Sequence, residues 1–109
     1  MRLPDLHAED TIAALATPPG TAALAVIRIS GPHAIDVLKR VAGERRPLRH
    51  ARARLVRVKD LDDFVCTAFL APRSYTGEDV VEISCHGNPI LVDRIMQAIL
   101  QAGARQALP

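Results

Sequence analysis

The residues best suited to chemistry lie in one stretch, residues 74–89, which holds a carboxylate inside an apolar segment and a Cys-His pair just before an expected helix. The carboxylate is Glu82 and the pair is Cys85-His86. A lone charge in an apolar strand must be paired, or must meet solvent or a ligand, because burying it unpaired costs several kcal/mol. Glu82 is therefore predicted to mark a site.

A second lone charge, Arg28, lies in an earlier apolar segment with the same pattern. Val26-Ile27-Arg28-Ile29-Ser30 and Val81-Glu82-Ile83-Ser84 each carry one charge among aliphatic residues, with opposite signs, and each leads into a helix. The two charges either form a mutual salt bridge or face a polar ligand in a crevice where the helix-opening loops converge. A carboxylate there suits a ligand with two adjacent N–H donors, such as an aminopyrimidinone ring.

The Cys85-His86 pair is better suited to a pocket wall than to catalysis. Adjacent residues of an extended chain point to opposite sides, so His86 is badly placed to act as the base for Cys85. The other cysteine and histidines have no zinc-ligand spacing. We assign no catalytic and no metal-binding residue, and expect His86 to be a polar wall.

Nucleotide hydrolysis by this chain alone is not expected, because Thr17-Pro-Pro-Gly-Thr-Ala lacks the Gly-Lys-Ser/Thr ending of a P-loop. Most of the fourteen Lys and Arg residues lie between Lys39 and Lys59. The arginines of this tract either contact RNA phosphates or cover a solvated edge strand, and the second interpretation is favoured. They are Arg45, Arg46, Arg49, Arg52, Arg54 and Arg57.

The bulk properties are those of one ordinary globular domain spanning residues 1–109, with 49% hydrophobic and 24% charged residues. Aromatic residues make up only 3%, which argues against the stacking platforms of single-stranded nucleic-acid binders. Two cysteines and a polar N-terminus without a secretory leader fit a cytoplasmic protein. The longest aliphatic run, residues 22–27, is too short to span a membrane, so no membrane partner is expected.

These residues must be positioned by an α+β fold in the order ββαβββα, a mixed sheet with two helices. The first helix is expected to open at Gly31-Pro32 and to end at Gly43, and the second to be capped by Asn88-Pro89 and to end at Gly103. The strand at residues 22–30 is predicted to be buried on both faces, and the arginine-rich strand at 51–59 to be an edge. The other strands are predicted at residues 11–16, 64–71 and 80–85, and a further strand could begin at 105–108.

Four segments together resemble the N-terminal domain of the tRNA-modification GTPases of the MnmE/TrmE family, in the family's order and approximate spacing over almost the whole chain. They are Asp10-Thr-Ile-Ala-Ala-Leu-Ala-Thr-Pro-Pro-Gly20, Val26-Ile-Arg-Ile-Ser-Gly-Pro32, Pro72-Arg-Ser-Tyr-Thr-Gly-Glu-Asp-Val-Val-Glu-Ile83 and Cys85-His-Gly-Asn-Pro89. After Pro-Pro-Gly, where the family usually reads Arg-Gly-Gly, this chain has Thr21-Ala22-Ala23.

The resemblance implies a fold similar to half of the folate-binding fold of the glycine-cleavage T-protein, and a homodimer in which residues 11–17 cross to the partner. It also implies a bound tetrahydrofolate carrier, in the 5-formyl or 5,10-methylene form, held in part by Arg28 and Glu82. His86 and the turn at Thr76 and Gly77 would then shape the pocket mouth. By local chemistry alone that turn is a connector with φ > 0 at Gly77.

In the family, the full enzyme uses GTP, potassium, the folate carbon and a flavin-containing partner protein to modify the wobble uridine of tRNA. The helical and GTPase domains that carry part of this activity are expected to be absent from this chain. Two other functions stay open. One is a purely structural dimerisation module whose pocket has decayed, and the other is a tRNA-contacting module that uses the basic tract from Arg45 to Arg57.

Overall fold

Segments with alternating or helix-period apolar residues form a sheet and two helices in the computed structural model. The structure describes residues 10–17, 20, 22–43, 46–57, 63–72 and 77–107. The strands are β1 (Ile12–Leu15), β2 (Ala22–Ser30), β3 (Ala53–Arg57), β4 (Asp63–Phe69), β5 (Val80–Gly87) and β6 (Arg105–Gln106). The helices are α1 (Ala34–Ala42), which follows β2, and α2 (Pro89–Gln101), which follows β5.

The described strands form one mixed sheet of six, in the order β3-β4-β5-β2-β1-β6. The β1–β6 pair is parallel, and the other neighbouring pairs are antiparallel. The α+β class and the edge position of β3 are thus confirmed. The further strand expected near the C-terminal end is β6, which extends the sheet beside β1.

The two faces of the sheet differ, because the helices pack on one of them. Ala25, Ile27 and Ile29 of β2 are buried with residues of both helices in a single hydrophobic core, and this side is termed the covered face. The opposite side, termed the open face, carries the alternate residues of each strand, including Leu24 and Arg28, which are exposed. The prediction that β2 is buried on both faces was wrong for this reason.

Helix α1 begins at Ala34, three residues later than Gly31, where the sequence pattern placed its opening. The side chain of its N-cap, His33, makes no capping hydrogen bond; instead the His33 backbone N–H donates to Thr11 Oγ1 at 2.9 Å. A hydroxyl next to β1 therefore satisfies a donor at the helix start. Gly43 ends the helix in the left-handed conformation, with φ 65°, as predicted.

Helix α2 begins as the sequence predicts, at Pro89 with Asn88 as its N-cap. Asn88 Oδ1 accepts hydrogen bonds from the backbone N–H groups of Ile90 and Leu91, at 2.8 and 3.3 Å. The apolar stripe that it buries includes Ile95, Met96 and Ile99. Among the described residues, neither this helix nor the other is long and apolar enough to cross a membrane.

Candidate functional site

Arg28 and Glu82 form a cross-strand ion pair on the open face. They are direct partners in the antiparallel register of β2 and β5, and Arg28 Nη2 donates to Glu82 Oε1 at 3.0 Å. Their side chains are 51% and 33% exposed. The mutual salt bridge that the sequence left as one alternative is thus present, and it lies where a ligand could still reach both groups.

The apolar neighbours of the two charges fix the pair on this face. Ile27, Ile29, Val81 and Ile83 are all 0% exposed in the core, and side chains alternate between the faces of a strand. A slip of either strand by one residue would turn its two apolar side chains out and bury its charge. The position of the ion pair therefore follows from the burial of the residues beside it.

Two rows of side chains cross the open face at this point. The first runs Ala53, Thr67, Glu82, Arg28 and Ala14, and the second runs Leu55, Val65, Ser84 and Val26. Glu82 is thus next to a threonine across one strand pair and to Arg28 across the other. The neighbouring row offers one hydroxyl among aliphatic side chains, so polar groups lie beside an apolar surface.

The carboxylate of Glu82 has capacity left for a ligand. Its Oε1 accepts from Arg28, and within the described part of the chain its Oε2 accepts no hydrogen bond. An ionised carboxylate has about four lone-pair sites, so it can accept two further parallel N–H donors. Arg28 fixes the orientation of this acceptor without filling it.

The remaining predicted site residues lie elsewhere. His86 is exposed on the open face four residues after Glu82, about 13 Å along the strand. Gly77, with φ 79° as predicted, is exposed before the other end of β5. Thr76 lies outside the described residues. Of the predicted set, the structure brings together Arg28 and Glu82 but does not place His86 and Gly77 beside them.

The crevice expected where the helix-opening loops converge is not formed. Because β2 and β5 are antiparallel, the loop that follows β2 at Gly31 and the loop that follows β5 at Asn88 lie at opposite ends of the strands. Convergence of such loops requires parallel strands. The sequence pattern of strand, loop and helix is the same in both orientations.

Cys85 faces the covered side, away from His86. Its side chain is 3% exposed and its Sγ lies 3.8 Å from the carbonyl oxygen of Ala25, whereas His86 is exposed. Opposite orientation of the two side chains is what the extended chain predicts. The thiol packs as part of the core.

The basic tract lies on and before the edge strand β3. Arg57 Nε donates to Asp63 Oδ1 at 2.8 Å across the β3–β4 pair. This hydrogen bond and the positive charge of Arg57 lower the pKa of Asp63 from 3.8. Arg49 and Arg52 are exposed at the turn before β3, and Arg45 lies outside the described residues. The solvated edge strand favoured from the sequence accounts for the exposed position of these side chains.

The site region holds Thr67, which the sequence did not single out, and Asp79, which the sequence placed only in the turn before β5. Thr67 is the β4 partner of Glu82; alternation along β4 predicts its face, but only the register reveals its neighbour. Asp79 fixes the chain before β5, since its carbonyl accepts from Gly31 N at 3.0 Å and its Oδ1 from Ala71 N at 2.9 Å.

Comparison with known proteins identifies the family. Residues 11–109 match the family described as GTP-binding protein TrmE N-terminus. The chain is 47% identical over 106 residues to the tRNA modification GTPase MnmE of Opitutus terrae. The aligned region covers 93% of this chain and 23% of that protein. The corresponding proteins of Caldicellulosiruptor saccharolyticus and Akkermansia muciniphila are 44% and 47% identical, over 92% and 93% of this chain and 24% of each relative.

The chain spans about a quarter of the length of these relatives, and the matched region includes both residues of the ion pair. The match also covers every described strand and helix, from β1 to β6. On this evidence the chain belongs to the family of the GTP-binding protein TrmE N-terminus.

Proposed function

We propose that this chain is the tetrahydrofolate-binding and self-associating domain of a tRNA-modification GTPase. The observation that carries the proposal is the half-exposed Arg28–Glu82 ion pair on the open face. A charge pair that lies outside the hydrophobic core and is flanked by aliphatic side chains is a suitable recognition point for a flat, polar ring. GTP hydrolysis and the contact with a flavin-containing partner protein are proposed for other domains of such a GTPase and not for this chain.

The acceptor oxygens of Glu82 in the ion pair fit the aminopyrimidinone edge of a folate. That edge presents adjacent N–H donors, and Glu82 can accept both of them through Oε2 and the remaining lone pair of Oε1. Arg28 holds the carboxylate turned for this contact through its hydrogen bond to Oε1. The apolar row beside it, with Val26 and Val65, supports the ring face.

A ring lying on one open sheet face would remain largely in water, whereas ligand sites bury about 70–90% of their ligand. A second copy of the chain is the proposed second wall. Leu24, Leu55 and Val65, which are 61%, 64% and 40% exposed, give this face the apolar surface that such a contact needs. In the structure β1 pairs with β2 of its own chain, and its exchange between copies stays a prediction.

Isothermal titration calorimetry with 5-formyl-tetrahydrofolate tests the ligand. Glu82→Gln keeps the shape of the side chain but replaces an acceptor by a donor, and we expect it to weaken binding by about 10- to 100-fold. Asp93→Asn is the matched control, because Asp93 is an exposed carboxylate on α2, and it should bind as the parent does. Equal affinity of the parent and Glu82→Gln would remove Glu82 from the site.

Size-exclusion chromatography with light scattering measures the oligomeric state and so tests the contact with a second copy. Leu24→Asp places a charge on the open face and should shift the parent dimer to monomer, whereas Ile90→Asp changes a residue that is 68% exposed on α2 and should not. If the parent dimerises but gives no heat with folate, the purely structural dimerisation module is the better description. A monomeric parent contradicts the self-association proposal.

A further inference from the structure

An arginine-lined groove lies beside the edge strand β3, away from the ion pair. It encloses about 290 Å³, and its walls are Leu48, Arg49, Arg52, Ala53 and Arg54. Its lining thus consists of three arginines and two apolar residues. The guanidinium groups concentrate positive charge in a concave surface, which is the arrangement that attracts anions.

The turn that carries two of these arginines is fixed on its neighbour strand. Ala51 N donates to the carbonyl of Ala68 at 2.7 Å, and Leu70 N donates to His50 Nδ1 at 2.9 Å. Ala51 has φ 57°, which reverses the chain between Arg49 and Arg52. Because the turn is held on β4, less conformational entropy is lost when its arginines bind.

Arg49 and Arg52 differ from other arginines whose charges are already paired. Arg28, Arg57 and Arg105 each pair with a carboxylate at 2.8 to 3.0 Å. Arg49 and Arg52 are exposed, and across the described residues no salt bridge is recorded for either of them. Two guanidinium groups of the groove therefore present their charge to the solvent.

We propose that this groove binds the phosphodiester backbone of RNA. A guanidinium group donates two parallel hydrogen bonds to a phosphate, which an ammonium cannot do. Arg49 and Arg52 present two separate guanidinium groups to one groove, which suits a chain of phosphates better than a single phosphate. With only 3% aromatic residues, the contact reads the backbone of folded RNA rather than stacked bases.

The choice of tRNA as the RNA rests on the proposed function, but the groove is a separate site. It lies on the β3 edge, two strands from Glu82 in the sheet order. Substitutions in the groove should leave folate heats unchanged, and Glu82→Gln should leave RNA affinity unchanged. Failure of one proposal is thus distinguishable from failure of the other.

Fluorescence anisotropy of labelled tRNA, titrated with the chain between 50 and 200 mM KCl, tests the groove. Each lost phosphate contact lowers the slope of log affinity against log salt by about 0.7 to 0.9. Arg49→Ala/Arg52→Ala should therefore flatten the slope by about 1.5. Arg49→Lys/Arg52→Lys keeps the charge, and should retain the slope while losing part of the affinity.

Arg52→Ala and Arg94→Ala form a matched pair, because each removes one exposed arginine and Arg94 lies on α2. The first should lower affinity for tRNA more than the second. Circular dichroism establishes that both remain folded. An equal effect of the pair, an unchanged slope in Arg49→Ala/Arg52→Ala, or no binding by the parent at about 100 µM and 50 mM KCl overturns the proposal.

Discussion

The two faces of β5 show how one strand serves two purposes. Val81, Ile83 and Cys85 are 0%, 0% and 3% exposed on the covered face, while Glu82 and His86 project from the open face. The first set is fixed by packing against the helices, and the second by its alternation with the first. The covered face therefore supplies stability, and the open face is the one on which we propose recognition.

The apolar residues of the two faces also differ. Those of the covered face belong to one contiguous core, whereas Leu24, Leu55 and Val65 are large side chains left 40 to 64% exposed on the open face. Large apolar residues that gather on one surface mark interaction sites more often than scattered ones do. The contrast predicts that equal truncations on the two faces will have unequal effects.

The largest expected effect is on the covered face. Ile83→Ala removes a fully buried side chain and should lower the free energy of unfolding by about 2–5 kcal/mol, while Leu24→Ala on the open face should change that of the monomer by only about 0.5 kcal/mol. Urea unfolding followed by circular dichroism measures both, since the chain has no Trp.

Ile83→Val serves as the graded control, with an expected loss of about 0.5–1.5 kcal/mol. In a dimer covered on the open face, the Leu24→Ala loss should rise with protein concentration. Equal losses for Ile83→Ala and Leu24→Ala in dilute protein would contradict the distinction between the two faces.

A second change tests the loop that leads from β2 to α1. Gly31 has φ 137°, and a Cβ there would lie 2.5 Å from the carbonyl oxygen of Asp10 and 2.7 Å from Thr11 Cα. Gly31→Ala should therefore cost about 3 kcal/mol of unfolding free energy, from backbone strain and collision together.

Gly43→Ala is the matched control, because Gly43 also has a positive φ but a Cβ there meets nothing within 4 Å. It should cost about 1 kcal/mol, from the left-handed backbone alone. Thermal unfolding of the two variants compares them directly. A Gly31→Ala variant no less stable than Gly43→Ala would show that the segment before β1 moves aside.

A smaller effect is expected at the start of α2. Asn88→Ala removes the acceptor for two backbone N–H groups and should lower stability by about 1 kcal/mol, without altering the open face. Asn88→Asp keeps an acceptor and should be close to the parent. Urea unfolding gives the stability, and folate calorimetry on the same samples should be unchanged; a changed folate affinity would contradict the independence of the two faces.

The smallest effect concerns the exposed ion pair between Arg57, where β3 ends, and Asp63, where β4 begins. Arg57 lowers the pKa of Asp63 below 3.8 in the folded chain, so its stabilisation is present above that value and is lost as the pH falls through the folded pKa. Asp63→Asn should differ from the parent at neutral pH and converge with it in acid. An NMR titration of the Asp63 carboxyl, with Arg57→Ala as the control that returns its pKa toward 3.8, measures the cause.

Much of the architecture was predictable because it depends on local signals. Asn88-Pro89 and Gly43 marked helix ends through capping and backbone preference, and charge marked β3 as an edge. The start of α1 was not predictable, since the hydroxyl that accepts from His33 belongs to Thr11, far away in the chain. Register also decided that Thr67 lies beside Glu82, which no local pattern encodes.

By itself the sequence determined that Arg28 and Glu82 are exceptional, because a lone charge among aliphatic residues must find a partner or solvent. It also determined the strands that carry them, which are short apolar segments bounded by turn residues. Only the tertiary structure decided that the two strands run antiparallel and in register, so that the charges meet each other while their helix-opening loops separate. Strand pairing joins residues distant along the chain. The burial of Ile27, Ile29, Val81 and Ile83 on one side excludes a one-residue slip and leaves the charges on the other side, and the observed pairing then sets Arg28 opposite Glu82.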